Sequence, residues 1–290
     1  MNRKEGINDE KNKSLRTLVY HGSIWVIGLL MIYPILWTIA SSLKAENEIF
    51  RNAASLIPSE WKWGGNYARG WEGFGDLSFA TFFLNSTFVT TMVVIGTIFS
   101  STLVAFGFAR VKFRFRTPLF VCMIVTLMLP QQVTLIPQYI LFHNLGWVNT
   151  YLPLIVPAFI GGIPFFIFLM IQFIRGIPRE LDEAAYMDGA STFAIFWRII
   201  LPLTTPAIAT VAIFSFYWTW DDFMTPLVYL NDTKLYTVAL GLQMFSDPSS
   251  VSAWGPMFAM SVASIIPQLL VFLFFQKYLV EGITAGSVKG

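Results

Sequence analysis

Long apolar segments alternate with shorter polar ones along most of this chain. A helix needs about 20 largely apolar residues to cross the hydrocarbon layer of a membrane. Six segments satisfy this requirement, at 18–43, 82–109, 118–141, 152–174, 202–228 and 256–280. The pattern therefore predicts an all-α polytopic membrane protein with six transmembrane helices.

The third and fourth apolar segments contain residues that interrupt helices. These are Pro130, Gln131, Gln132, Pro137 and Gln138 in the third segment, and Gly161, Gly162 and Pro164 in the fourth. Proline removes a backbone donor, and broken helices inside a membrane persist where protein or water satisfies the freed groups. Either this pair lines a cavity, making Gln131 and Gln132 candidates for a substrate pathway, or the prolines only kink packed helices. The sequence favours neither interpretation.

A charged insert, RELDEAAYMDGASTFAIFWRIILPL at 179–203, separates the fourth and fifth segments. Proline favours the first turn of a helix, and acidic side chains there interact well with the helix dipole. Pro178 is followed by three such acids, Glu180, Asp182 and Glu183. These residues predict a short helix that begins at about Arg179.

The same insert contains signals for a turn and a second helix. Gly189 follows Asp188 and accepts the left-handed conformation that closes a helix, while Ser191 or Thr192 can cap the next helix. On the first helix, Leu181, Ala184 and Ala185 lie three or four residues apart and form one small apolar face. The insert is thus predicted to be a helix–turn–helix whose first helix docks against another surface.

Lys and Arg residues cluster at one set of segment ends. They are Arg3, Lys4, Lys11, Lys13 and Arg16 before the first segment, Arg110, Lys112, Arg114 and Arg116 after the second, Arg175, Arg179 and Arg198 after the fourth, and Lys277 and Lys289 at the end. The positive-inside rule places these ends in the cytoplasm, with both termini. We therefore expect cytoplasmic tails at 1–17 and 281–290 and a membrane domain at 18–280, with its cytoplasmic loop at 175–203.

Composition narrows the function classes. The chain is 55% hydrophobic and 12% charged, whereas a soluble domain carries about 25% charged residues. The formal net charge of +2 disfavours a nucleic-acid partner, which would need a basic stripe. The single cysteine, Cys122, lies in an apolar run and provides neither a disulfide framework nor a thiolate metal site.

Aromatic and acidic residues adjoin near the end of the fifth segment. Asp221 and Asp222 follow Trp218 and Trp220. Indole rings stack on the apolar faces of sugars and carboxylates accept hydrogen bonds from hydroxyl groups, so these four residues are candidates for a substrate pathway. If the acids lie at the membrane surface, solvation alone explains them.

Tryptophans of the first outer loop, Trp61, Trp63 and Trp71, similarly fit either the membrane interface or an external partner.

Sequence patterns for enzymatic chemistry are scarce. The chain contains no phosphate-binding GxxxxGK[ST] loop and no HExxH motif, and His21 and His143 are isolated. We therefore expect no metal or cofactor in this chain and no catalytic residues. A membrane transferase that used Asp221 and Asp222 with a divalent metal would need further carboxylates or a basic pocket on the same face, which the sequence does not supply.

The charged insert also carries a spaced motif. Its fixed positions, at the spacing E-A-A-x3-G-x9-I-x-L-P, are Glu183, Ala184, Ala185, Gly189, Ile199, Leu201 and Pro202. This pattern resembles the signature loop of ABC importer permeases. Further stretches resemble the carbohydrate-uptake subfamily of the maltose-permease G type: Asn85-Ser86, ARVKFRFR at 109–116, LPQQVTLIPQYILFHNLGWVNT at 129–150, TWDDFMTPL at 219–227 and GITAGSVKG at 282–290. The subfamily commonly has Trp-Asn where this chain has Trp220-Asp221.

This resemblance implies a subunit of a sugar importer in a bacterial plasma membrane. Such a permease pairs with a second, related permease, with two ATPase subunits that bind ATP and Mg, and with an extracytoplasmic sugar-binding protein. Glu183 would be the main polar contact to the ATPase, and Asp188 would belong to the same coupling surface. The tail at 286–290 would lie along the ATPase, and the loop at 231–254 would reach the binding protein. A permease for another nutrient is the alternative.

Overall fold

The computed structural model describes residues 3–246 and 253–285, and these residues are almost entirely helical. In chain order the α-helices are α1 Arg3–Leu43, α2 Glu46–Arg51, α3 Trp63–Glu72, α4 Phe79–Arg110, α5 Arg116–Leu127, α6 Gln131–Asn144, α7 Leu152–Ile160, α8 Pro164–Gly176, α9 Glu180–Met187, α10 Thr192–Ile195, α11 Leu201–Leu203, α12 Thr205–Trp220, α13 Met224–Tyr229, α14 Val238–Met244 and α15 Trp254–Ala285. A π-helical turn at Phe196–Ile200 and a 3₁₀ turn at Thr233–Leu235 complete the described chain. The predicted contacts of 286–290, and of the 247–252 part of the outer loop, lie outside the described residues.

Four stretches are long and apolar enough to cross a membrane, and two bent helix pairs supply two more if each pair counts as one span. The four are Arg16–Leu43, Phe79–Arg110, Leu152–Gly176 and Trp254–Lys277, and the pairs are Arg116–Leu127 with Gln132–Asn144, and Thr192–Leu203 with Thr205–Trp220. This arrangement confirms the all-α polytopic architecture. The fifth predicted segment differs in detail, since it bends by 72° next to Thr204 and its helix ends at Trp220.

The predicted interruptions in the third and fourth segments break the helices in different ways. The third segment breaks at Pro130, the N-cap of α6, and its two helices meet at 109°. Pro137, in contrast, lies inside α6 and does not end it. The fourth segment breaks between α7 and α8, where Gly162 has a φ of +61° that side chains rarely adopt. Ser100 of α4 donates a hydrogen bond of 2.6 Å to the carbonyl of Ala158, so a neighbouring helix satisfies part of the freed backbone.

The described residues form two compact units. The first contains the chain up to Trp71 together with Phe245–Ala263. Within it, Lys44 is fully buried and its Nζ donates to the carbonyls of Asn52 and Ser55, at 3.1 and 2.5 Å. The amide of buried Asn66 donates to the carbonyls of Ser42 and Lys44. These bonds fold the first outer loop onto the end of α1, while its tryptophans, Trp61, Trp63 and Trp71, stay exposed.

The second unit contains Glu72–Met244 and the chain from Ser264 onward, and α4 is its central helix. Helices α7, α8 and α12 all pack along α4. The main apolar core includes Ala105 and Phe106 of α4, Phe166 and Met170 of α8, and Val211 of α12. Because small and hydroxyl side chains such as those of Thr97 and Ser101 are buried along α4, the neighbouring helices can approach its backbone closely.

Candidate coupling site

The helix α9 is defined by its two ends. Arg179 is its N-cap, and the acids of the first turn lie where the helix dipole favours them. At the other end, Gly189 has a φ of +79°. Its N–H donates to the carbonyl of Tyr186 at 3.0 Å, and the N–H of Ala190 donates to Ala185 at 2.9 Å. This pair of bonds is a Schellman closure, which confirms the turn predicted at Gly189.

The exposed face of α9 differs from the predicted apolar face at one residue, Ala185. Ala185 is buried and belongs to the core of the second unit, so it is turned away from any docking partner. The exposed surface of α9 contains Leu181, Glu183, Ala184 and Met187, the last of which is 88% exposed. We call these four residues the docking face. The prediction placed Ala185 on the exposed face, which is wrong. Residues three positions apart lie on the same side of a helix, so Ala185 faces inward together with buried Asp182.

Asp182 supports α9 from the inner side. Its Oδ2 lies 3.1 Å from Nε of Arg110, the last residue of α4, and both side chains are nearly buried. Nη2 of Arg110 also donates to the carbonyl of Ile177 at 2.6 Å. The Nε contact is an ion pair rather than an aligned hydrogen bond, and Oδ1 of Asp182 has no hydrogen-bond partner among the described residues. This pair could not be predicted from the sequence, because 72 positions separate its members.

The segment after Gly189 contains the rest of the motif. Ser191 caps the second helix by accepting a hydrogen bond of 3.2 Å from the N–H of Ala194, as predicted. The chain then passes through the π-helical turn, where partly buried Ile199 packs on the core, as does Leu201. Pro202 is exposed and lies in the short helix before the 72° bend. Ile199 and Leu201 thus anchor the connection between α9 and α12.

The aromatic substrate-pathway candidates do not assemble into one site. Trp218 is 47% exposed and its ring packs 4.9 Å from that of Phe166 on α8. Trp220 is 4% exposed, and its Nε1 donates to the carbonyl of Ser264 on α15 at 3.1 Å. The two rings therefore point to different neighbours. Gln132 is exposed on α6, and the side chain of Gln131 lies outside those that the structure describes.

The two acids also have separate surroundings. Oδ1 of exposed Asp221 accepts a hydrogen bond of 2.7 Å from Nε2 of Gln268. Oδ1 of Asp222 accepts one of 3.0 Å from the N–H of Thr225, in the first turn of α13. Asp222 also lines a small cavity of about 20 Å³ whose walls include Ser86, Thr90, Leu154 and Thr237. This volume is close to the size of one water molecule. It is too small for a sugar ring, and within this chain the interaction seen for Asp222 is its hydrogen bond to the first turn of α13.

Three polar residues that were not predicted as site residues organise the end of the second unit at which α4 begins. Asn85 donates through Nδ2 to the carbonyls of Lys234 and Tyr236, at 2.8 and 2.9 Å. Ser86 accepts from the N–H of Val238 at 2.8 Å. Asn149, with a φ of +62°, accepts from the N–H groups of Asn231 and Asp232. The Asn-Ser pair was visible in the sequence only as part of the family resemblance.

The fold and the site together define a multi-pass helical membrane protein with an exposed docking helix. Residues 93–284 match the family of binding-protein-dependent transport system inner membrane components. The chain belongs to this family, so it is a permease component of a membrane transport system.

Relatives in three organisms align over nearly the whole chain. Probable ABC transporter permease protein YurM of Bacillus subtilis is 37% identical over 92% of this chain and 88% of its own. The trehalose/maltose transport system permease protein MalG of Thermococcus litoralis is 32% identical, covering 95% and 97%. The sn-glycerol-3-phosphate transport system permease protein UgpE of Agrobacterium fabrum is 31% identical, covering 94% and 98%.

A solved structure has the same fold. One chain of a bacterial ABC transporter involved in the import of the acidic polysaccharide alginate superposes with a TM-score of 0.80 and 22% identity. The match covers 92% of this chain and 97% of that chain. This likeness confirms the importer-permease fold that the spaced motif indicated.

Proposed function

We propose that this chain is one of two permease subunits of an ATP-driven importer for a sugar or oligosaccharide. The observation that carries the proposal is the exposed docking face on α9, within a chain that aligns end to end with a trehalose/maltose permease. A second permease subunit would complete the translocation pathway. Exposed apolar side chains on α5 and α6, such as Val125 and Ile136, provide surface for that subunit or for lipid.

Two ATPase subunits, which would hold the ATP and Mg, are proposed to dock from the cytoplasm. One would receive the docking face, with exposed Glu183 as its polar contact and Leu181 and Met187 as its apolar contacts. The orientation follows from the Lys and Arg residues, which put this loop and both termini in the cytoplasm. ATP-driven closure of the ATPase pair would move α9 and switch the spans between inward and outward access.

On the outer side, an extracytoplasmic binding protein is proposed to deliver the solute. The described part of the outer loop at 231–254 is held to α4 by Asn85 and Ser86. A fixed loop of this kind offers a preformed surface, which reduces the ordering cost of binding.

A phosphorylated solute is the second candidate, because UgpE of Agrobacterium fabrum is named for sn-glycerol 3-phosphate. The exposed carboxylate of Asp221 favours the neutral sugar, since a negative charge repels an anion. The two candidates differ in cargo and share the same coupling site.

Reconstituting the complete complex in proteoliposomes tests the proposal. We expect ATP-dependent uptake of a radiolabelled maltodextrin and little uptake of sn-glycerol 3-phosphate. Glu183→Ala should lower uptake by about tenfold, the equivalent of 1.4 kcal/mol of lost coupling, while membrane insertion is unchanged. Glu72→Ala, at an exposed acid that ends helix α3, is the matched control. Wild-type uptake by Glu183→Ala would refute the docking assignment.

A further inference from the structure

A single arginine connects the base of α9 to α4. Nε of Arg110 contacts Asp182 on the inner side of α9, and Nη2 donates to the carbonyl of Ile177, which precedes the helix. The guanidinium group therefore holds two points of the chain on either side of Pro178 and Arg179. The start of α9 cannot shift relative to the end of α4 without breaking one of these contacts.

The ion pair is a costly way to attach a helix. Burying two charges removes their hydration, and a well-packed apolar contact would serve stability at least as well. Ala185 already provides such a contact one turn further along α9. In addition, Oδ1 of Asp182 is buried without a hydrogen-bond partner among the described residues. A role in directing movement explains why charges occupy this position.

Helix α4 extends from this ion pair to the opposite end of the second unit. Ser86 and Arg110 lie 24 residues apart on one continuous helix, which corresponds to about 36 Å. At the far end, Asn85 and Ser86 hold the outer loop through Lys234, Tyr236 and Val238. A displacement at Arg110 is therefore carried along a single rigid element to the outer loop.

We propose that Arg110 and Asp182 are positioning residues that transmit the movement of α9 to α4 and, through α4, to the outer loop. This inference rests on the proposed docking of an ATPase subunit on α9. The docking face points away from Asp182, so the pair acts after docking. Losing the pair should separate ATPase binding from the movement of the spans.

A double variant distinguishes transmission from simple structural support. Asp182→Asn or Arg110→Gln alone leaves one buried charge without its partner and should lower the yield of folded protein. Arg110→Gln with Asp182→Asn removes both charges, so the yield should return while the strong charged link stays lost. Asp76→Asn, an exposed acid in the second unit, is the matched carboxylate-to-amide control.

The readout is independent of the transported solute. In a Cys122→Ser background, a cysteine replaces Leu84, a 70% exposed residue near the outer end of α4. Its labelling by a membrane-impermeant maleimide is measured in the complete reconstituted complex with and without ATP and vanadate. Copurification of the ATPase subunits measures docking in the same samples.

We expect ATP to change the labelling rate in the otherwise unsubstituted complex and in Asp76→Asn. In the double variant the ATPase should copurify normally, while the ATP-driven change falls by about fivefold or more, the scale of an allosteric coupling. A full ATP response in the double variant would overturn this inference and leave the proposed function standing. Failure of the ATPase to copurify with the unsubstituted chain would overturn the proposed function and the inference with it.

If the double variant does not fold, a second substitution tests whether the pair transmits the movement of α9. Arg110→Lys keeps the charge of the pair but replaces the planar fork with a single ammonium group, which cannot match both contacts of the guanidinium. It should assemble with the ATPase and show a reduced ATP response. An undiminished response in Arg110→Lys would also overturn the inference.

Discussion

Gly241 of α14 lies directly against the ring of Phe82 on α4. A Cβ atom on Gly241 would come within 2.3 Å of Cδ2 of that ring, and Phe82 is fully buried with its ring edge-on to Phe79. The close approach of α14 to α4 therefore depends on the absence of a side chain at position 241. This contact allows α14 to pack closely against the first turns of α4.

We predict that Gly241→Ala lowers the stability of the folded protein by about 1–3 kcal/mol, the usual cost of overpacking. Thermal unfolding of the purified chain in detergent measures the effect. Gly107→Ala is the matched control, since no atom lies within 4 Å of a Cβ at that helical position. An unfolding midpoint for Gly241→Ala equal to that of the control would contradict the tight contact.

Glycine is required at position 189 for its left-handed backbone conformation, not because a side chain would clash there. Its φ is +79°, and nothing lies within 4 Å of a Cβ placed there. We predict that Gly189→Ala costs about 1–2 kcal/mol, the penalty of a left-handed conformation, and that Gly189→Asn costs less. Limited proteolysis within 188–191 reports the opening of this turn. Gly176→Ala has an equally open environment without a positive φ, so a similar cleavage rate in both alanine variants would refute the strain.

The helix α9 was predictable because its signals are local. Pro178, the acids of the first turn and Gly189 act within a few residues of where they stand, so the sequence alone identifies both ends. The pair of Arg110 and Asp182 was not predictable, since it depends on how α4 and α9 pack. The orientation of Ala185 was missed for the same reason.

Trp218, Trp220, Asp221 and Asp222 have separate neighbours within this chain for a geometric reason. Successive helical residues turn by about 100°, so Trp218 and Trp220 point in nearly opposite directions although they are neighbours in the sequence. The helix also ends at Trp220, which leaves Asp222 free to cap α13. The four long spans and the two bent helix pairs were predictable as apolar segments from hydropathy, whereas the 72° bend beside Thr204 was not.

Asp222 tests the difference between a cap and a solute contact. We predict that Asp222→Ala loses about 1 kcal/mol of stability because the N–H of Thr225 loses its acceptor. Asp222→Asn keeps an oxygen at the same place and should match the wild type in both thermal unfolding and sugar uptake. Reduced uptake by Asp222→Asn at unchanged stability would show instead that the charge contacts the solute.

The first outer loop should respond to acid through Glu48. Oε1 of Glu48 accepts a hydrogen bond of 2.8 Å from the N–H of Ser59, and this bond keeps the pKa of the carboxyl group below the ordinary value of glutamate. A depressed pKa stabilises the folded loop above the ordinary pKa, and this contribution disappears as the pH falls through the folded-state value.

We therefore predict that protection of the Ser59 amide against hydrogen exchange weakens as the pH is lowered from about 6 to about 3, the range in which a glutamate titrates. Glu48→Gln retains an acceptor oxygen that does not titrate, so its protection factor should stay constant once the intrinsic pH dependence of exchange is subtracted. Equal pH profiles in the two proteins would show that ionisation of Glu48 does not hold this loop. A decrease confined to the wild type would assign the acid sensitivity to the carboxyl group of Glu48, because the amide of glutamine does not titrate in this range.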